Sequence, residues 1–159
     1  MLDERNQSEF KQILTGADLI ILNGGKCTTL NDFLNDLNFK NYLKTFKGLC
    51  IGISAGAMNL CNTIYNFPEE LIDINQPRII QGLGYFNKII IPHFDGENCK
   101  YQFDLEEVDA VNDYILPYSY KNELIGIPNG SYILIDNEFN TYSFGNIYSI
   151  CNGITKKTI

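Results

Sequence analysis

The chain has 159 residues and a net charge of -7, with 45% hydrophobic, 13% aromatic and 19% charged residues. This length and composition predict a single globular domain over residues 1–159 that needs neither disulfides nor metal to fold. The negative charge disfavours nucleic acid as a partner, because it would repel a phosphate backbone. No apolar run is long enough to cross a membrane, and the polar start "MLDERNQSEF" does not read as a secretory signal, so we expect a cytoplasmic protein.

The cysteines predict neither a disulfide framework nor a zinc site. They are odd in number and widely spaced, without a C-x-x-C pair: Cys27, Cys50, Cys61, Cys99 and Cys151. We interpret them as reduced thiols, mostly buried. We also expect no cofactor, and "GGKCTT" does not predict nucleotide binding, because it lacks the glycine spacing of both Walker and dinucleotide-binding loops.

The first half of the chain alternates predicted helices and strands. Apolar residues at helical spacing predict a helix within residues 4–15, and "ADLIILNGG" then predicts a buried strand closed by two glycines. Thr29 is expected to cap a helix that carries an apolar stripe, followed by a shorter helix over about residues 40–47. "GLCIGIS" predicts the next strand, and residues 55–65 predict a helix.

The second half begins with a long irregular segment, "NFPEELIDINQPRIIQGLGYF". A third strand is predicted in "NKIIIPHF", then an amphipathic helix marked by Leu105, Val108, Val111 and Ile115. Four short strands are predicted in "ELIGIP", "SYILID", "TYSFG" and "IYSIC", with Lys156 and Lys157 in a tail. The chain is therefore expected to be an α/β protein, with a mainly parallel sheet sandwiched by helices and antiparallel hairpins near the C-terminus.

Residues 52–56, "GISAG", fit the G-x-S-x-G nucleophile elbow. In such an elbow a sharp turn from strand to helix presents the serine hydroxyl at the carboxyl end of a sheet. A predicted strand precedes Ser54 and a predicted helix follows it, as the motif requires. The alternative is a tight turn that needs small residues and has no chemical role.

A serine nucleophile needs a base, usually a histidine held by an acid. The single histidine, His93, follows a predicted buried strand and would therefore lie at the carboxyl edge that displays Ser54. The segment between them offers three acids, Glu69, Glu70 and Asp73. Each could equally be a solvated loop charge, and His93 could be a structural residue.

The glycine pair in "NGGKC" could supply a backbone donor for an oxyanion hole, since glycine lets the backbone approach a reacting carbonyl. The Ala55 amide, at the start of the following helix, is the other candidate donor. The same glycines could simply end a strand.

Together these segments resemble the peptidase E family of serine peptidases, which includes the aspartyl dipeptidases and has cyanophycinase as a relative. "ADLIILNGGKCTTLNDFL" is similar to the family's Gly-Gly loop and helix, "GISAGAMNLC" to its elbow, "IIIPHF" to its histidine segment and "LIGIPNGSYILI" to the strand-turn-strand that follows. The resemblance spans about residues 17–135. It implies a fold like that of class I glutamine amidotransferases, and transfer of an acyl group to water.

The resemblance also implies residue roles. Ser54 would be the nucleophile, His93 the base and Glu69 the acid, while Gly24 or Gly25 with Ala55 would form the oxyanion hole. Apart from the resemblance, Lys100, the nearest cation after His93, and Asn129 are candidate substrate contacts. The arginine with which aspartyl dipeptidases bind their substrate is not seen after His93, so aspartyl specificity is not predicted.

Relatives usually carry further strand and helix units before the segment that begins here near Ala17, so the chain looks shortened at its amino end. We therefore expect an uncovered sheet edge, and either a homodimer that covers it, a compensating rearrangement, or a degenerate or incomplete gene product. The leading hypothesis is a serine peptidase acting on short peptides. An inactive binding or regulatory relative and an esterase-like hydrolase remain alternatives.

Overall fold

A computed structural model describes residues 2–67, 79–96 and 109–158. The helical elements are a 3-10 helix at Glu4–Glu9, α1 (Phe10–Leu14), α2 (Cys27–Asp36), α3 (Phe39–Leu43), α4 (Ala55–Leu60), a π-helical turn at Val111–Ile115 and α5 (Leu116–Ser119). The strands are β1 (Leu19–Leu22), β2 (Leu49–Gly52), β3 (Thr63–Tyr65), β4 (Ile79–Gln81), β5 (Ile89–Pro92), β6 (Leu124–Ile127), β7 (Tyr132–Ile135), β8 (Thr141–Phe144), β9 (Ile147–Cys151) and β10 (Ile154–Thr158). Across these ranges, every helix is too short or too polar to cross a membrane.

Within the described residues the strands form four small sheets. β1 and β2 make a parallel pair, and a mixed sheet has the order β10-β9-β6-β5, in which β5 and β6 are parallel. β3 pairs with β4, and β7 with β8, as antiparallel ribbons. The mixed α/β class is thus confirmed, as are the C-terminal hairpins. The expected single sheet of mainly parallel strands is not seen in the described residues, where antiparallel pairs outnumber parallel ones.

Several details differ from the sequence predictions, among them the end of α3 at Leu43, where a helix to about residue 47 was predicted. α2 begins at Cys27 with Lys26 as its N-cap, so Thr29 lies inside the helix and does not cap it. The helix predicted to reach residue 65 ends at Leu60, because the following residues pair with β4 instead. Lys156 and Lys157 lie in β10, where pairing with β9 provides partners for the backbone that a tail would leave to solvent.

Two large apolar clusters hold the elements together. One packs β1 against α2 and α3, and its buried members are Ile20, Leu22, Leu34, Leu37, Phe39, Leu43 and Leu83. The other packs β5, β6 and β9 against the helical residues 110–116, and its buried members include Ile91, Phe94, Ile115, Leu124 and Ile150. Each cluster therefore supports a different part of the sheet system, the first under β1 and the second under β5.

The four described cysteines are free thiols. Cys27 and Cys61 are buried, whereas Cys50 and Cys151 are partly exposed, and Cys99 lies outside the described residues. Burial raises the pKa of Cys61 to about 12 and that of Cys50 to about 11. Both thiols are therefore protonated and weakly reactive at neutral pH.

One face of the β1–β2 pair is apolar and exposed. Its side chains alternate with the core residues along each strand, and between 38% and 52% of each is accessible: Leu19, Ile21, Leu49, Ile51 and, just after β2, Ile53. The parallel register sets Leu19 opposite Leu49 and Ile21 opposite Ile51, which makes the patch continuous. The homodimer expected to cover this part of the chain stays a prediction.

A buried asparagine network ties α2, α4 and β4 together. The amide nitrogen of Asn59, which is fully buried, donates to the carbonyl oxygens of Ala55 at 2.9 Å and Cys27 at 3.2 Å. Its amide oxygen accepts from Asn31, whose nitrogen also donates to the Gln81 carbonyl. A buried polar group is tolerated only when it is hydrogen-bonded, so these bonds fix Asn59 and with it the first turn of α4.

We predict that Asn59→Ala lowers the free energy of unfolding by about 2 kcal/mol, because it leaves buried carbonyl and amide groups unpaired and opens a cavity. Urea denaturation measures the change. Asn41→Ala is the matched control, since Asn41 is exposed and bonds only within α3 and its flanks. Equal effects of the two substitutions would contradict a structural role for the network.

Candidate functional site

Ser54 lies in a strained turn between β2 and α4. Its backbone has φ 53° and ψ -113°, a conformation that residues with a side chain seldom adopt. Three hydrogen bonds hold the turn: Ile53 N donates to the Leu22 carbonyl, Gly56 N to the Ile53 carbonyl, and Met58 N to the Ser54 carbonyl, at 2.9, 2.8 and 3.1 Å. The turn has the geometry of a nucleophile elbow.

The two glycines of the motif are required by close packing. A Cβ at Gly52 would lie 2.6 Å from the Gly56 carbonyl oxygen, and one at Gly56 would collide with the Leu22 carbonyl oxygen. Because these neighbours are backbone atoms, they cannot turn aside as a flexible side chain would. The G-x-S-x-G pattern is thus explained by sterics at both of its glycines.

The glycine pair that follows β1 lies beside Ser54. A Cβ at Gly24 would lie 3.3 Å from Ser54 Cβ and 3.8 Å from Ser54 Oγ, so the absence of a side chain leaves space next to the hydroxyl. Gly25 has φ 126°, and its missing Cβ would meet nothing within 4 Å. Ala55 begins α4, where backbone N–H groups have no partner within the helix.

His93 follows β5 directly and also has a left-handed backbone, with φ 60°. The next residue, Phe94, is fully buried in the cluster under β5 and packs edge-on against Tyr148. Gly126 on β6 makes room for the Phe94 ring, with which a Cβ there would collide. The burial of Phe94 therefore turns the chain so that the His93 side chain stays at the sheet edge.

The imidazole of His93 bridges two side chains. Its Nε2 lies 2.9 Å from Ser54 Oγ, and its Nδ1 lies 2.8 Å from Asn129 Oδ1. The two predicted residues Ser54 and His93 thus meet within hydrogen-bond distance. If Nδ1 carries the ring proton and donates to Asn129, the Nε2 lone pair accepts from the serine hydroxyl.

Asn129 is the residue whose position the sequence did not anticipate. The structure places it against His93 in the turn between β6 and β7, and the substrate contact predicted for it stays a prediction. A signal was present: "IIIPH" and "LIGIPN" each end in Ile-Pro followed by a polar residue, and β5 and β6 pair in parallel with Pro92 opposite Ile127.

Four other predicted residues lie outside the described part of the chain. They are the three candidate acids, Glu69, Glu70 and Asp73, and the candidate substrate contact Lys100. Their predicted roles stay predictions.

The site pairs the hydroxyl of Ser54 with the imidazole of His93, next to the backbone of Gly24. An imidazole nitrogen at 2.9 Å can accept the serine proton as the oxygen attacks an acyl carbon. The space beside Gly24 leaves room for the carbonyl under attack. Acyl transfer is the reaction that this set of groups supports.

Comparison with known proteins agrees with this chemistry. The family model described as "Peptidase family S51" matches residues 1–141 of the chain. A search of curated proteins returned no match. The chain therefore belongs to peptidase family S51, the peptidase E family of serine peptidases.

Proposed function

We propose that the protein is a serine hydrolase that cleaves short peptides, with Ser54 as nucleophile and His93 as general base. The observation that supports this most strongly is the 2.9 Å contact between His93 Nε2 and Ser54 Oγ, formed at a serine with a left-handed backbone. Strain of this kind costs on the order of 1–3 kcal/mol and is concentrated at functional sites. Membership of a serine peptidase family supports the same assignment.

In the proposed reaction Ser54 Oγ attacks the peptide carbonyl carbon while its proton passes to His93 Nε2. The tetrahedral intermediate collapses when the imidazolium gives that proton to the leaving amine, which breaks the C–N bond and leaves an acyl-serine. Water then attacks the ester, again losing a proton to His93. Return of that proton to Ser54 Oγ releases the carboxylic acid and restores the enzyme.

The oxyanion would be stabilised by backbone N–H groups of Ala55 and of Gly24 or Gly25. Ala55 is adjacent to the nucleophile at the start of α4, and Gly24 borders the hydroxyl. Backbone donors fixed in advance are effective because they need no reorganisation as negative charge develops on the oxygen.

An open depression borders Gly24 and is lined by Lys26, Leu30 and Phe33 together with residues 2–5. Ser54 and His93 do not line it, so it is not proposed as the substrate cleft. We further propose that the parallel pairs β1–β2 and β5–β6 belong to an arrangement like that of class I glutamine amidotransferases, with Ser54 and His93 at strand ends.

We predict that a fluorophosphonate probe labels the wild-type protein stoichiometrically at Ser54, and that Ser54→Ala abolishes labelling. On a panel of short peptides, Ser54→Ala should lower kcat/KM by about three orders of magnitude or more, because triad members act as a unit. Its thermal unfolding should change little, since alanine fits the same space. Ser8→Ala, a change at an exposed serine of the 3-10 helix, should label like the wild type.

Absence of labelling in well-folded wild-type protein would contradict the hydrolase and favour the inactive binding relative. Labelling at Ser54 combined with hydrolysis of esters but not of peptides would favour the esterase-like alternative.

A second prediction concerns the glycine pair. Gly24→Ala should lower kcat/KM by about tenfold or more, because its methyl group enters the space beside Ser54 Oγ and lies 3.3 Å from Ser54 Cβ, a tight contact that displaces the serine by a few tenths of an ångström. Gly25→Ala, by contrast, should lower the free energy of unfolding by about 1–2 kcal/mol, because φ 126° is unfavourable for alanine. Peptide hydrolysis and urea denaturation of both variants provide the measurements. Full activity of Gly24→Ala would exclude Gly24 from the substrate's path.

A further inference from the structure

The side of the imidazole that faces away from Ser54 meets an amide. Asn129 Oδ1 lies 2.8 Å from His93 Nδ1, within the range of a well-formed hydrogen bond. An amide oxygen can only accept, so a bond to it requires the ring proton to be on Nδ1. Nε2 is then unprotonated and turned toward Ser54 Oγ, which is the form that can act as a base.

The backbone around Asn129 is built to hold the amide in place. Pro128 is buried, and its carbonyl oxygen accepts from Ser131 N at 3.2 Å, which closes a tight turn. Gly130 has φ 81° at the third position of that turn, where most residues with a side chain would be strained. Parallel pairing of β5 with β6 brings the start of this turn to the same sheet edge as His93.

We propose that Asn129 is the positioning residue for His93, and that its neutral amide fixes the tautomer with the proton on Nδ1. The catalytic consequence rests on the hydrolase function proposed above. Asn129 would act through the imidazole, in place of the substrate contact predicted from the sequence. Triads in which a histidine is held by asparagine are known among cysteine proteases, so an amide is chemically sufficient to orient the ring.

The amide sets a condition that a carboxylate would not. If the Asn129 side chain were turned over, its nitrogen would donate to Nδ1 and place the ring proton on Nε2, where the histidine could not take the serine proton. The orientation of one exposed amide therefore separates an active from an inactive tautomer. An aspartate at the same position accepts a hydrogen bond from Nδ1 with either carboxylate oxygen, so turning it over does not move the ring proton to Nε2.

The chain offers a direct test because it contains one histidine. Long-range 1H–15N correlation spectra of the neutral imidazole distinguish the two tautomers without interference from other rings. We expect the wild type and Asn129→Asp to show the proton on Nδ1, and Asn129→Ala to lose that preference. Asn137→Asp is the matched control, because it makes the same charge change at an exposed position in the β7–β8 turn and should leave the tautomer as in the wild type.

Kinetics separate positioning from substrate binding. Asn129→Ala should lower kcat about 100-fold with KM changed by less than about threefold, and Asn129→Asp should restore kcat. A large rise in KM with kcat and the tautomer unchanged would overturn the proposal and return Asn129 to the substrate site. A proton on Nε2 in the wild type, or a tautomer that changes in Glu69→Gln but not in Asn129→Ala, would also overturn it.

The spectra do not depend on turnover, so the two proposals can fail separately. A tautomer that follows Asn129 in a protein that neither labels nor hydrolyses would support the positioning role and reject the hydrolase. Labelling at Ser54, combined with a tautomer that Asn129→Ala does not change, would support the hydrolase and reject the positioning role.

Discussion

The site depends on the close approach of α4 to the end of β1. The Leu22 carbonyl oxygen accepts a hydrogen bond from Ile53 N and lies directly against the Cα of Gly56. With both flanks of Ser54 fixed to the same neighbouring strand, the chain must reverse within one residue, and it does so with a positive φ. The position of the Ser54 hydroxyl at the end of β2 follows from this packing. Any side chain at Gly56 would push α4 away from β1 and release the turn.

Support for that approach comes from polar as well as apolar contacts. The apolar cluster under β1 packs this strand against α2 and α3. The turn at Ser54 is held in addition by the hydrogen bonds of Asn59 and Asn31. Apolar contacts tolerate small shifts, whereas hydrogen bonds lose strength steeply with distance and angle. A directional network beneath the elbow therefore fixes its geometry more tightly than packing alone would. This explains why asparagines occupy positions on α2 and α4 that could have held apolar residues.

The sequence predicted those features that depend on local pattern. The elbow, the strand before it and the strand that leads to His93 each have a signal within a few residues, and the parallel rule brought Ser54 and His93 to one edge. Prediction from the sequence failed where pairing between distant segments determines the structure. α4 stops at Leu60 because residues 63–65 pair with β4, and Asn129 reaches His93 through the register of β5 with β6. An asparagine in a Pro-Asn-Gly turn is also explained by the turn alone, so the Ile-Pro ending that this segment shares with the His93 segment did not by itself indicate a contact with His93.

The alternation along β1 and β2 has a consequence for how this protein can change in evolution. Ile20 and Leu22 point into the core, while Leu19 and Ile21, one residue away, point to solvent. Because successive side chains take opposite faces, the exposed set can be replaced without touching the atoms that hold the elbow. The outer face of the β1–β2 pair can therefore gain or lose binding partners. The side chains of the inner face cannot change as freely, because their packing holds Ser54 in its turn.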